Sequence, residues 1–151
     1  MADTPAADAD EPNTGVLLFV AYRAMENRVF DALAEAGYGD VTPAQARVFQ
    51  RIGPDGTRLS DLAEQAQVTK QTAGVLVDAL ERAGYVRRTP DPTDARARLV
   101  RISERGAEVV AAAARIVAQV EAEWIAHLGP ERYAALHRTL LDLRQVTDPY
   151  A

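Results

Sequence analysis

Helix starts and helix stops alternate so closely between Thr42 and Gly106 that only short helices fit there, with two short strands after them. Thr42-Pro43-Ala44-Gln45 opens the first helix: Thr42 can cap, Pro43 suits the first turn, and Gln45 completes a capping box. That helix presents Ala46, Val48, Phe49 and Ile52 and stops at Gly53-Pro54-Asp55-Gly56. Ser60 is the expected cap of the second, with Asp61 favourable at its positive end and Leu62, Ala63 and Ala66 on its apolar side. After a tight turn near Gln67-Val68, Thr69 caps a third helix carrying Ala73, Leu76, Val77 and Leu80. It ends at Ala83-Gly84, and Gly84 suits the left-handed terminating position. Tyr85 to Arg88 and Ala97 to Ile102 read as strands, joined by the turn chemistry of Pro90-Asp91-Pro92-Thr93-Asp94.

Longer helices flank this unit. From Val16 to about Ala36 the apolar pattern is helical, with Leu18, Met25, Val29 and Leu33 on one side and Leu17, Phe19, Phe30 and Ala34 widening the stripe. Ser103 starts a long helix with Val109, Ala113, Ile116, Val120 and Trp124 at spacings of three or four. Gly129-Pro130 breaks it, and a last helix aligns Tyr133, Leu136, Leu140 and Leu143. The expected architecture is mainly α. A disordered acidic tail (1–13) precedes an N-terminal helix (14–40), a winged helix-turn-helix lobe (41–103) and C-terminal helices (104–151). The flanking stripes exceed what a lobe of this size needs for its own core.

Composition removes several classes of function. The 151 residues suit one compact domain, or a domain with an appended element. There is no cysteine, which excludes disulfides, thiolate metal sites and thiol-based redox sensing. The longest apolar runs, Val16 to Tyr22 and Val109 to Ala114, fall far short of the ~20 residues of a membrane helix. The acidic, small-residue start is unlike a signal or transit peptide, so the expectation is a cytoplasmic protein with no membrane partner. No catalytic residue, metal site or cofactor is expected. His127 and His137 lack zinc-helix or catalytic-pair spacing, Ser60 and Ser103 are read as caps, and the Gly53–Gly56 turn lacks the Lys-Ser/Thr of a phosphate loop.

The net charge of −5 argues against a polyanionic partner until the charges are located. Four acids and no base fall in residues 1–12, whereas residues 82–105 hold seven arginines against three acids, a net of +4. Of the 17 basic residues only Lys70 is a lysine, and it stands at the start of the third short helix. Two short helices with a tight turn and then a hairpin form the layout of a winged helix-turn-helix, whose second helix can lie in a major groove. There Lys70 or Gln71 can reach base edges, Thr69 and Thr72 can bond phosphate or base, and Gly74 can admit close backbone approach. The bland alternative is a helix pair with no DNA role.

The segment from Thr42 to Gly106 resembles the MarR family of bacterial transcriptional regulators. The resemblance rests on Leu80-Glu-Arg-Ala-Gly-Tyr-Val-Arg-Arg88, Asp91-Pro-Thr-Asp-Ala-Arg96 and Val100-Arg-Ile-Ser-Glu-Arg-Gly106. It implies an Asp-x-Arg wing, here Asp94 and Arg96, in which Asp94 orients an arginine and Arg96 at the hairpin tip enters a minor groove. Arg87, Arg88 and Arg98 are candidates for phosphate contacts or wing support, and some arginines pair instead with Asp91, Asp94 or Glu104. The resemblance further implies that the flanking helices form a homodimer that binds a pseudo-palindromic operator in double-stranded DNA, most often as a repressor. It implies a small effector, commonly aromatic or phenolic, between those helices and the lobe. Tyr22, Arg23, Phe30 and Trp124 are the candidate lining, with a core role open for Phe30 and Trp124 and a pairing with Glu26 open for Arg23. The alternative function is a winged-helix protein-interaction module without DNA binding.

Overall fold

The computed structural model describes residues 11–150, so the proposed tail lies outside the described residues as far as residue 10. The order is α1 (Thr14–Glu35), α2 (Pro43–Phe49), β1 (Thr57–Arg58), α3 (Leu59–Gln65), α4 (Lys70–Arg82), β2 (Val86–Asp91), β3 (Asp94–Ile102), α5 (Glu104–Leu128) and α6 (Pro130–Thr147). The protein is mainly helical with a small antiparallel sheet, as the patterning predicts.

Most boundaries follow from caps. Asn13 accepts from Val16 N and starts α1, and Thr42 and Gln45 form the expected capping box. Thr69 accepts from Thr72 N at 3.0 Å, and Ser103 accepts from Gly106 N at 3.0 Å. Gly84 takes the expected left-handed backbone with φ +84°. Ser60 departs from its expected role. The helix begins two residues earlier than that cap implies, at Leu59, with Arg58 in the cap position and no side-chain cap bond. The cause is β1. Thr57 and Arg58 pair with Val100 and Leu99, so the chain leaves a strand directly into α3 and the cap residue is held by the sheet. A two-residue strand has no periodicity to read, which is why it was not expected.

The sheet order is β1-β3-β2. Val86, Arg87, Arg88 and Thr89 face Ile102, Arg101, Val100 and Leu99 in turn. Beneath the sheet, Val48, Leu62, Val77, Leu80, Tyr85 and Val100 are almost wholly buried and join α2, α3, α4 and the wing into one core. Each buried aliphatic side chain is worth about 1.5–3 kcal/mol relative to exposure. Small residues set the α3–α4 crossing: Ala63 and Ala73 are both buried where those helices meet.

A second group fixes the lobe to the long helices. The Arg105 guanidinium lies 5.2 Å from the Tyr38 ring centroid and 4.9 Å from that of Tyr85. The Tyr85 hydroxyl donates to Asp40, and the Tyr38 hydroxyl donates to Glu108 at 3.0 Å. This clamp joins the α1–α2 connection, the start of the wing and the first turns of α5. Burial, with the Asp40 contact second, pushes the Tyr85 pKa up, so its hydroxyl stays a donor.

Candidate nucleic-acid interface

The N-terminal half of α4 faces outward. Thr69, Lys70, Gln71 and Thr72 are exposed, and no acid occurs in the first turn. The Thr69 hydroxyl also donates to the Thr72 hydroxyl at 2.9 Å, so both are ordered before any partner arrives. Gly74 sits differently from its neighbours. A Cβ there would face Leu59 Cδ2 at 3.8 Å, ordinary contact on the side towards α3, so crowding does not demand glycine. The residue that sequence reasoning overlooked is Val75, 62% exposed and one turn beyond Gln71 on the same side. An apolar side chain left in water on a polar helix face was the available signal.

The wing differs from expectation at its tip. The chain turns at Pro92-Thr93, and Asp91 pairs with Asp94. Since Pro90 pairs with Arg98, residues 95–97 bulge out of register. Arg96 therefore lies exposed on a bulge beside the tip rather than at the tip itself. Asp91 is the reason. Buried at 7% exposure, it accepts from Thr93 N at 2.8 Å and from the Thr93 hydroxyl at 2.7 Å, which curls the chain at that point. It also accepts from Arg58 Nε at 2.8 Å, tying the turn to β1. The Thr93 bonds, with Arg58 adding to them, lower its pKa to about 2.

The charge pairings are also specific. The arginine on Asp91 and Asp94 is Arg58, from outside the basic segment, and Asp94 lies 3.9 Å from it. Asp94 additionally accepts from Arg96 N at 3.0 Å, so it holds the backbone that carries Arg96. Arg88 is half-buried and bonds Glu81 at 2.9 Å and Asp78 at 2.7 Å, which braces the wing against α4. Arg101 donates to the Thr89 hydroxyl, across the hairpin. Arg87, Arg96, Arg98 and Lys70 are exposed and form no ion pair among the described residues. Four exposed, unpaired cations thus stand on the α4 start and the wing, while Arg47, Arg82, Arg115, Arg132 and Arg138 are likewise exposed and outside those ion pairs.

Between α1, α2 and α5 lies a cavity of about 470 Å³. Tyr22 and Phe30 line it, together with Met25, Val29, Ile52 and Val109, whereas Arg23 and Trp124 are not among its lining residues. Arg23 instead pairs with Glu26, the carboxylate that sits in the cavity wall. Tyr22 donates to Glu26 at 2.6 Å, and that bond is the main cause that raises the Tyr22 pKa. Glu26 was read from sequence only as a partner for Arg23, although a carboxylate within an apolar stripe marked it out.

Among the described residues no group of His, Asp and Glu is placed to hold a metal ion, and no helix is long and apolar enough to cross a membrane.

Known proteins share both sequence and fold with this chain. A sequence model of the MarR family matches residues 39–97. The transcriptional regulator HosA of Escherichia coli O111:H- is 34% identical over 93 residues, covering 61% of this chain and 69% of HosA. The exopolysaccharide II synthesis transcriptional activator ExpG of Rhizobium meliloti is 29% identical over 116 residues, covering 72% of this chain but only 60% of ExpG. In structure, MarR from E. coli superposes with a TM-score of 0.68 at 23% identity, covering 89% of this chain and 98% of that one. A Mycobacterium tuberculosis MarR family protein, solved with salicylic acid, superposes with a TM-score of 0.64 at 25% identity, covering 90% and 99%. With the wing motif, the fold and the sequence matches in agreement, the chain belongs to the MarR family, whose members are transcriptional regulators and not enzymes.

Proposed function

We propose that the protein is a homodimeric, sequence-specific DNA-binding regulator, a repressor that leaves its pseudo-palindromic operator when a small aromatic or phenolic ligand binds. The observation that carries this reading is the acid-free, exposed start of α4 beside the unpaired wing arginines, in a chain whose net charge is −5. Four cations free among the described residues stand on the two elements that a winged helix-turn-helix presents to DNA, with no acid in the first turn of α4. They offer a polyanion an attractive surface in a chain that is acidic overall.

The assignments divide by position. Lys70, Gln71 and Val75 face the major groove, with Thr69 and Thr72 on phosphate or base. Arg96 enters the flanking minor groove, and Arg87 and Arg98 meet phosphates. Arg88 and Asp94 support the wing. Gly74 faces α3, so the backbone approach expected there is the least supported of the DNA contacts. Dimerisation rests on the outer halves of α1 and α6, where Leu17, Phe19, Val20, Leu141 and Val146 are exposed. Ligand binding rests on the cavity between α1, α2 and α5, and the salicylic acid complex of the mycobacterial relative supports a small-molecule site in such a fold.

The test is selection of sites from random duplex DNA, followed by anisotropy titration of the selected sequence. A two-fold symmetric site should emerge, bound at about 10⁻⁸ M or tighter against competitor, with affinity falling as salt rises. Lys70→Ala should cost roughly 1–3 kcal/mol and relax one base position. Arg96→Ala should weaken binding while the dimer mass by light scattering stays unchanged. Recovery of no site, even at low salt, would establish the protein-interaction module instead.

A further inference from the structure

The cavity between α1, α2 and α5 is lined mainly by apolar side chains, and the chemistry of its few polar residues selects among ligands. Its volume of about 470 Å³ lies in the usual range for small-molecule sites and suits a molecule of one or two rings. Its polar lining residues are Glu26, Tyr22 and Gln50, and the Tyr22 hydroxyl is bonded to Glu26. Glu26 is the one charged residue among those lining the cavity, and it is only 7% exposed.

Its two carboxylate oxygens are each engaged once: Oε2 by the Tyr22 hydroxyl at 2.6 Å, and Oε1 by Arg23. A carboxylate accepts about four hydrogen bonds, so each oxygen retains capacity for one donor. Arg23 is already bound to Glu26 from outside the cavity lining, its side chain 44% exposed, and Arg47 of α2 acts on Tyr22 but is exposed and likewise not among the lining residues. A ligand carboxylate would therefore face the oxygen side of the Glu26–Arg23 pair with no proton to offer it, whereas a donor would complete a hydrogen bond there.

Resting on the reading of this cavity as the effector site, we infer that it takes ring compounds ending in a hydrogen-bond donor, a phenol or an amine, and rejects aromatic carboxylates, with Glu26 as the residue that sets this preference. Glu26 receives the donor, Tyr22 keeps the carboxylate aimed along the wall, and the apolar side chains of Val29, Ile52 and Val109 enclose the ring. The preference is a property of this chain's own lining, and salicylic acid falls on the disfavoured side.

Isothermal titration of the full chain with 2-naphthol, 2-naphthylmethylamine and 2-naphthoate tests the inference, since the three share one ring system and differ in the polar end. The naphthol and the amine should each bind about ten-fold or more tightly than the naphthoate, the scale of one charge-assisted hydrogen bond gained. In Glu26→Gln the amine should lose about ten-fold and the naphthoate should gain, so that the order narrows or reverses. Ala113→Phe, which projects a ring into the same space, should weaken all three, with thermal melts confirming that the variant folds. The wild-type ranking is decisive even if a variant fails to fold. Naphthoate binding as tightly as the naphthol would overturn the donor preference and leave the effector site standing. Failure of all three to bind would overturn the effector site and this inference together.

Discussion

Single residues carry more of this fold than composition implies. Gly106 stands where the first turn of α5 passes the wing, and a Cβ there would lie 2.1 Å from the Tyr85 carbonyl oxygen and 2.9 Å from Ile102 Cγ2. The helix cannot move away, since Ser103 N donates to that same carbonyl at 3.0 Å and the Ser103 hydroxyl bonds Gly84 O at 2.5 Å. Gly106→Ala should therefore destabilise the protein by about 2–4 kcal/mol, read by urea denaturation, and an unchanged midpoint would show that the contact relaxes freely. Val75 supplies a second prediction at this scale. Its exposed methyls match a thymine methyl in the major groove, so replacing single thymines with deoxyuridine in the selected site should cost about 1 kcal/mol at one position per half-site. In Val75→Ala that sensitivity should disappear; if it persists, another group reads the methyl. The Gly of the wing motif was legible as a letter, but its reason lay in Tyr85, about 20 residues away in sequence.

Among the elements, the hairpin shows how a local motif is completed by distant parts. Its strands and turn residues were evident in the sequence. The position of Arg96 was not, because it depends on Asp91 curling the turn and on Arg58 of β1 anchoring Asp91. The low pKa of Asp91, about 2, gives this a pH dependence. A carboxylate whose folded pKa is depressed stabilises the fold fully above its unfolded value of about 3.9 and loses that contribution as pH falls through about 2. Asp91→Asn should then be less stable than wild type at pH 6, with the difference shrinking towards pH 2. A stability gap that stays constant over that interval would show that Asp91 acts through shape rather than charge. The α4 helix was more legible than the wing, since its cap, its apolar side and its terminating glycine all lie within it.

For the whole molecule the decisive feature is what a single chain leaves uncovered. No residue of α6 is buried, and Phe19, Val20 and Val146 are 62%, 58% and 82% exposed. Exposed apolar surface of this kind marks an association face, and the first turns of α1 and the last turns of α6 carry it. Phe19→Asp should weaken self-association by about ten-fold or more, visible as a shift towards monomer in sedimentation velocity, while the helical content holds. Retention of the dimer would place the contact elsewhere. The clamp of Arg105 between Tyr38 and Tyr85 then gains importance, because it sets how the winged-helix lobe is held on the long helices. What the sequence alone determined is what contacts within a few residues govern: the caps other than that of α3, the stops, the helix faces, the two strands of the hairpin and the cluster of arginines. Only the tertiary structure decided which arginines are spent on Asp78, Glu81, Asp91 and Asp94 and which face solvent, and that Glu26 rather than Arg23 looks into the cavity. Pairing and burial depend on residues brought together from far along the chain, and no local pattern encodes that geometry.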